Sequence, residues 1–312
     1  MKFPLWTSSS INLREILLKG YIKNISPLRI GSGREPPLGS LVDLEVVKIS
    51  FYGNEIPYIP GSSLKGLFRS QAGIIASSLG LDVCSGFAEE SCIDIKNVDY
   101  EGRQYRLRDL IDECMRKNQS LKAMEYFFEK ACVICKIFGS GMYRSKVLFS
   151  DAYPLDENNN PFPFKLGSRT GISIDRRTGS AAALYKVEYV EPGCMFKFEI
   201  KCNNLPNYAL GLLSTIIKMI NDGRVKIGGF TSRGYGSAKI ENLRLLIRGF
   251  DLFEKKTLPS LEENVDEEIY VGDIAEVKDD WLYFVGDNAW KLIDKFEVTW
   301  YNAANRIKSL KK

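Results

Sequence analysis

Histidine is absent from all 312 residues. That removes the side chain most often used as general acid, base or metal ligand near neutral pH. Catalysis here must therefore fall to carboxylates, Lys, Tyr, Cys or a bound metal ion. No apolar run reaches about eighteen residues, so no transmembrane helix is expected. The opening MKFPLWTSSSINLREILLKG has no basic stretch leading into an apolar one, so no secretory signal is expected either. A cytoplasmic location and no membrane partner follow as expectations. No internal repeat is visible, and neither the Walker pattern nor the dinucleotide fingerprint occurs.

What is present supports a folded chain, since 45% of residues are apolar. Seven cysteines in a reducing compartment point to metal, packing or reactive thiols ahead of disulfides. The net charge of +4 conceals an asymmetry: residues 249–312 hold 14 acidic and 9 basic side chains, and residues 1–248 hold 25 acidic and 34 basic. A basic body suits a polyanion partner, although a solvated surface produces the same bias. The shift near Gly249 divides a core, 1–248, from a C-terminal extension, 249–312. The extension contains an acidic linker at 261–268 and an aromatic tail with Trp281, Trp290 and Trp300, and its charge suits a basic neighbour.

Residues 16–25 and 41–51 read as strands. Residues 62–79 read as a helix entered through Pro60-Gly61, capped by Ser62 or Ser63, with Leu64, Leu67, Phe68, Ile74 and Ile75 as its apolar side. Residues 80–104 show no period, 105–138 read mostly as helix, and 147–152 as a short strand. Two strands flank a turn within 184–201, a helix covers 205–222, and a strand covers 238–247. Elements alternate without a regular βαβ period, which favours an α+β fold.

Three glycine loops stand out: Gly31-Ser32-Gly33, Pro60-Gly61-Ser62-Ser63-Leu64-Lys65-Gly66 and Gly228-Gly229-Phe-Thr-Ser-Arg-Gly-Tyr-Gly236. Glycine lets backbone N–H groups approach a phosphate. The second loop opens a helix, whose N-terminus attracts anions, and Lys65 and Arg69 lie four apart on one helix face. Arg169–Arg177 sets three arginines in a glycine-bounded stretch, a composition that suits phosphate or a solvated loop equally. In Leu41-Val42-Asp43-Leu44-Glu45-Val46, alternation puts Asp43 and Glu45 on one strand face; a solvent-facing acid reads the same way. Cys132-x-x-Cys135 has the spacing of a metal knuckle. Cys84 with Cys92 is the best second pair, Cys114 competes, and buried or reactive thiols remain open beside Zn²⁺.

Taken together these motifs have a known likeness. Tyr58-Ile-Pro-Gly-Ser-Ser-Leu-Lys-Gly-Leu-Phe-Arg69 resembles the signature of the RAMP superfamily of CRISPR proteins. Cys132–Gly139, Ile174–Ala181 with Leu184, Tyr185 and Glu188, and Gly228–Gly236 resemble its later elements, in the family's order, across roughly 16–247. The closest likeness is to the type III backbone subunit. That resemblance implies a modified RRM, or ferredoxin-like, core with inserted helical (lid) and thumb elements, the thumb falling at about 166–190. It implies guide crRNA and target RNA as partners, copies packed head to tail, and other type III effector subunits alongside. It implies RNA contacts from Gly31, Ser32, Ser62, Ser63, Lys65, Arg69, Arg169, Arg176, Arg177, Arg233 and Tyr235. Gly39-Ser-Leu-Val-Asp43 resembles the segment carrying the family's catalytic aspartate, so Asp43 inherits Mg²⁺- or Mn²⁺-dependent cleavage of target RNA through the 2′-hydroxyl. The RNP1 aromatic pattern of ordinary RRMs is not visible. A guide-precursor-processing endoribonuclease, an inactive structural RNA-binding subunit and a zinc-stabilised protein-interaction module are the alternatives.

Overall fold

The computed structural model describes every residue except 1, 2, 9, 34–38, 88, 101, 250, 251, 311 and 312; part of the first glycine loop, 34–38, thus lies outside the described residues. In chain order come β1 (Arg14–Asn24), β2 (Lys48–Phe51), β3 (Asn54–Pro57) and α1 (Gly61–Ser78). An inserted segment follows, with α2 (Cys92–Ile95), β4 (Asn97–Tyr100), β5 (Arg103–Arg106), α3 (Leu107–Arg116), α4 (Ser120–Lys130) and α5 (Val133–Phe138). Next are β6 (Val147–Phe149), β7 (Leu166–Ile174), β8 (Ala181–Val190), β9 (Met195–Asn203), α6 (Asn207–Asn221) and β10 (Ala238–Gly249). The chain ends with α7 (Leu252–Lys255), β11 (Thr257–Leu258), β12 (Ile269–Tyr270), β13 (Glu276–Lys278), β14 (Trp281–Val285) and α8 (Asp287–Leu310).

The fold is α+β, as the irregular alternation implied. One antiparallel sheet runs β13-β14-β10-β1-β9-β6. Within it β1, α1, β6, β9, α6 and β10 trace a β-α-β-β-α-β path. The period of two sorts the sheet's faces. Ile16, Leu18 and Ile22 of β1 lie level with Cys202, Ile200 and Phe196 of β9, and all are buried on the side covered by α1 and α6.

The opposite face is a ladder of charges already paired: Lys19 with Glu199 at 2.8 Å, Lys23 with Glu241 at 3.1 Å, and Glu15 with both Lys201 and Arg248. Residues 151–165 cover part of it. Phe162 meets Tyr21 edge to face at 5.6 Å, and Glu157 pairs with Arg244.

Sequence composition changes at Gly249, yet the packing continues across it. β14 pairs with β10, and Phe296 and Trp300 of α8 join the same buried cluster as β1. α6 lies between sheet and α8, which explains its burial almost all round. Gly211 is the point of closest approach: a Cβ there would sit 2.1 Å from the Phe296 carbonyl oxygen. Gly211→Ala is expected to force the two helices apart and destabilise the fold by about 1–3 kcal/mol or more, measured as a fall in denaturation midpoint. The acidic linker also turns inward. Pro206 has no side-chain acceptor, and the Asp266 carboxylate instead accepts the N–H groups of Asn207 and Tyr208 at 3.1 and 3.0 Å. Glu262 accepts from Trp6 Nε1 and the Tyr208 hydroxyl, and burial pushes both carboxyls above the usual range.

Some local expectations fail. The strand expected at 41–51 is regular only over Lys48–Phe51, because Leu44 and Val46 bridge to different partners, Val187 and Gly31. Residues 80–104, read as irregular, contain α2, β4 and the start of β5. Neither Ser62 nor Ser63 caps α1; both are exposed, and the Gly61 N–H donates to Asp151 Oδ1 at 2.7 Å. Ile74, placed on the apolar side, is 55% exposed. Among the described residues no helix is long and apolar enough to cross a membrane.

Candidate nucleic-acid interface

Strands β7 and β8 form a hairpin in register from Leu166 opposite Val190 to Ile174 opposite Ala181. Among the described residues it pairs with no other strand except through the bridges Leu28–Val190 and Leu44–Val187 near its root. Sequence periodicity missed β7 because glycines interrupt it, but those glycines have a use. Gly167 faces Tyr189 and Gly171 faces Tyr185, and a Cβ on either would lie 2.7 or 2.5 Å from the opposing ring. Each tyrosine therefore lies across a glycine, a recognised way of stabilising such positions. At the tip, Asp175 Oδ1 accepts the N–H groups of Arg177 and Thr178, and this turn leaves Arg176 and Arg177 exposed.

The first and third glycine loops meet at the hairpin's root. Gly229 N–H donates to the Arg29 carbonyl at 2.8 Å. Gly228, at φ +84°, passes so close that a Cβ would stand 2.3 Å from the same oxygen. Around this contact Arg29 and Arg233 lie over the Phe230 ring at 5.1 and 5.0 Å, and Arg169 lies 5.7 Å over Tyr235. Tyr189 meets Tyr235 edge to face at 5.7 Å. Arg233 Nη1 donates to the Tyr185 hydroxyl at 2.6 Å. Arg169 and Arg233 are exposed, whereas Tyr235 is 4% exposed. This corrects the expectation for Tyr235: its ring is the floor under the arginines and is not presented to a base. Cation–π contacts at this distance hold guanidiniums in place without neutralising them.

Asp43 is bound to the same root. Its N–H donates to the Lys186 carbonyl at 3.0 Å, and its Oδ2 accepts the Lys186 N–H at 2.7 Å. The side chain is exposed. Asp43 and Glu45 do not share a strand face as alternation suggested; Glu45 instead accepts from Ser40 Oγ at 2.9 Å. The segment is anchored by Glu188, whose Oε2 accepts the Val46 N–H and whose Oε1 pairs with Lys48, both at 3.0 Å. Ser32 lies alongside, its N–H donating to the Glu45 carbonyl at 3.3 Å.

The structure thus brings Gly31, Ser32, Asp43, Arg169, Arg233 and Tyr235 to one root. Arg176 and Arg177 stand at the tip, and Lys65 and Arg69 line a separate groove behind α1. Backbone bonds connect root and α1 in steps, Val47 to Ile30, Tyr58 to Val47 and Ile59 to Ala152, each step about 5 Å. Ser62 and Ser63 therefore lie a few strand spacings from the first glycine loop. Arg69 departs from expectation. Its Nη1 donates to the Gly139 carbonyl at 2.8 Å and its Nη2 to Cys135 Sγ at 3.6 Å, so it faces into the protein because it satisfies a turn there. Arg29, Tyr189 and Phe230 were not singled out from sequence, and Tyr185 was named only as part of a motif; an arginine or aromatic at each glycine boundary was the available signal.

Below Arg69 the sulfurs of Cys84, Cys92, Cys132 and Cys135 all lie within 4.8 Å of one another. Cys84 Sγ is 3.7 Å from Cys132 Sγ and 3.3 Å from Cys135 Sγ. A tetrahedral zinc with Zn–S near 2.3 Å separates its sulfurs by about 3.8 Å, so the donor set fits that ion. The Cys132 N–H donates to Cys92 Sγ and the Cys135 N–H to Cys132 Sγ. Hydrogen bonds from Cys135, Cys84 and Cys92 hold the Cys132 thiol far below its ordinary range, whereas those same contacts with Cys132 raise Cys92 and Cys135. Cys114, the competitor, is buried outside this group.

The family model of the RAMP superfamily matches residues 21–239, from β1 into β10. The chain belongs to the RAMP superfamily. The hairpin, its root, the groove and the four cysteines all lie within the matched span of this RAMP protein. A curated relative, "CRISPR system Cms endoribonuclease Csm3" of Methanocaldococcus jannaschii, is 30% identical over 133 residues, covering 39% of this chain and 53% of the relative. The chain thus spans about half the length of the curated relative it matches. A solved chain from "Cryo-EM structure of the Type III-B Cmr-beta bound to cognate target RNA" is 16% identical with a TM-score of 0.42, over 74% of this chain and 61% of that one.

Proposed function

We propose that this RAMP protein is an RNA-binding backbone subunit of a type III CRISPR interference complex. It binds guide crRNA in several copies, packed head to tail beside other effector subunits, and cleaves complementary target RNA at regular intervals. The observation that carries this reading is the isolated 166–190 hairpin with Asp43 hydrogen-bonded to its root at Lys186. A hairpin of that kind is a thumb that displaces a nucleotide from a guide–target duplex. The arginines held over Phe230 and Tyr235 then bind phosphates on either side. The printed name of the relative, an endoribonuclease of a CRISPR system, supports the same reading.

RNA carries its own nucleophile. A displaced nucleotide rotates toward the in-line geometry that attack by its 2′-hydroxyl requires. Lys186 N–H fixes one Asp43 oxygen, and the other faces outward to take the hydroxyl proton or to hold a cation. Mg²⁺ or Mn²⁺ at Asp43 would neutralise charge building on the phosphate. Attack by the 2′-oxygen breaks the P–O5′ bond, leaving a 2′,3′-cyclic phosphate and a 5′-hydroxyl whose proton comes from solvent, and no histidine is needed. Cys84, Cys92, Cys132 and Cys135 would hold Zn²⁺ as a structural ion.

Binding through phosphates depends on salt and ignores base sequence. Fluorescence anisotropy with single-stranded RNAs of unrelated sequence is expected to give one affinity that falls as salt rises. A strong preference for one guide sequence, or no binding at all, defeats the proposal.

A further inference from the structure

The groove behind α1 has a volume of about 1100 Å³ and is walled by elements far apart in sequence. Lys65 comes from α1. Arg106 ends β5, Arg108 is the second residue of α3, and Arg144 follows the turn that begins at Gly139. The carboxylates lining the groove are Glu89 and Asp94, and Asp94 is already engaged by Arg108 and the Ser91 hydroxyl. Lys65, Arg106 and Arg144 have no carboxylate partner among the described residues, in contrast to the paired cations of the sheet's outer face. Burial and the neighbouring Arg69 charge depress the Lys65 ammonium.

The groove's rear wall is fixed. Arg69 lies between two glycines that permit its position. A Cβ on Gly86 would stand 2.5 Å from Arg69 Nε, and Gly139, whose carbonyl holds Arg69, adopts φ +84° with Ser145 N 2.7 Å from a Cβ position. The lining is largely charged and polar, unlike the apolar pockets that enclose small molecules. An open, cation-rich channel of this kind matches a strand of linked phosphates.

We propose that this groove is a second phosphodiester subsite, through which single-stranded RNA passing α1's N-terminus continues onto the inserted segment, with Lys65, Arg106 and Arg144 as its contacts. The proposal rests on the RNA-binding reading above and extends the RNA path from Lys65 to Arg106 and Arg144, which the motif likeness did not include. Each side chain binds phosphate as a point charge or fork and reads no base.

The test is the salt dependence of binding by the full chain to a 40-nucleotide oligouridylate, comparing wild type with Arg106→Gln/Arg144→Gln. Both positions are exposed, so the variant is expected to keep the wild-type denaturation midpoint. Loss of two contacts lowers the slope of log K against log salt by about 1.4 and weakens binding several-fold at low salt. An unchanged slope with wild-type affinity overturns the groove and leaves the RNA-binding reading standing. Wild-type protein that binds no RNA overturns both. An Arg29→Gln/Arg233→Gln variant separates the sites: its effect adds to that of the groove variant when both lie on one RNA path, and additivity is absent when the groove lies off it.

Discussion

Replacing Asp43 with Ala is expected to abolish target-RNA cleavage by the assembled complex and to leave guide RNA bound. In the function proposed above the carboxylate accepts the 2′-hydroxyl proton, and loss of a positioned general base typically costs about 10²–10⁴ in rate. Loss of a metal-holding oxygen adds to that. Stability changes little, because the exposed side chain makes one hydrogen bond, to Lys186 N–H, worth about 1 kcal/mol. Asp43→Asn is the stricter variant. It keeps an oxygen for Lys186 and loses the charge, so it separates chemistry from positioning. Cleavage is followed with labelled target RNA in Mg²⁺ or Mn²⁺, and bound guide is quantified by extraction from the purified complex. Persistence of cutting in the Asn variant would remove Asp43 from the mechanism. Loss of guide and cutting together would make it a structural residue of the hairpin root.

Removal of the zinc proposed for the four-cysteine cluster should have the largest effect on stability. Cys84 comes from the loop after α1, Cys92 opens α2, and Cys132 and Cys135 flank the start of α5. Zinc there would cross-link the insertion to the body, and the Cys135–Arg69 contact joins the cluster to the groove. Structural zinc sites contribute about 10–16 kcal/mol of apparent binding energy near neutral pH. Chelation, or Cys132→Ser, is therefore expected to lower the melting temperature well beyond the roughly 2–4 °C that each kcal/mol moves in a domain of this size. Elemental analysis should find one zinc per chain in the wild type and none in the variant. Cys114→Ser, at a buried position outside the cluster, should keep its zinc. Purified protein with no zinc and a melting curve indifferent to chelator would leave the cysteines as packing residues.

Much of the site was readable from residue types alone. Gly228 and Gly229 announce a close backbone approach, and the structure supplies it at the Arg29 carbonyl. The Cys-x-x-Cys spacing announced a half-site, and Cys84 with Cys92 completes it. Ser62 and Ser63 looked like caps because serine is a good local acceptor. The actual acceptor for Gly61, Asp151, is 90 residues away in sequence. Tyr235 was expected among the RNA contacts from the motif likeness, and it is buried with its ring against Tyr189 at the hairpin root.

Local chemistry was sufficient for the α+β class, helices α1 and α6, strands β1 and β10, the lack of histidine chemistry and the order of motifs, since each depends on residues within a few positions of one another. Tertiary structure alone decided which cations lack partners, which acids are buried caps, and that Asp43 belongs to the hairpin root. Those outcomes are set by long-range pairings such as Asp43 with Lys186, Asp266 with Asn207 and Arg69 with Gly139. A side chain's electrostatic role depends on what the fold brings within a few ångströms of it, and periodicity along the chain carries no record of that.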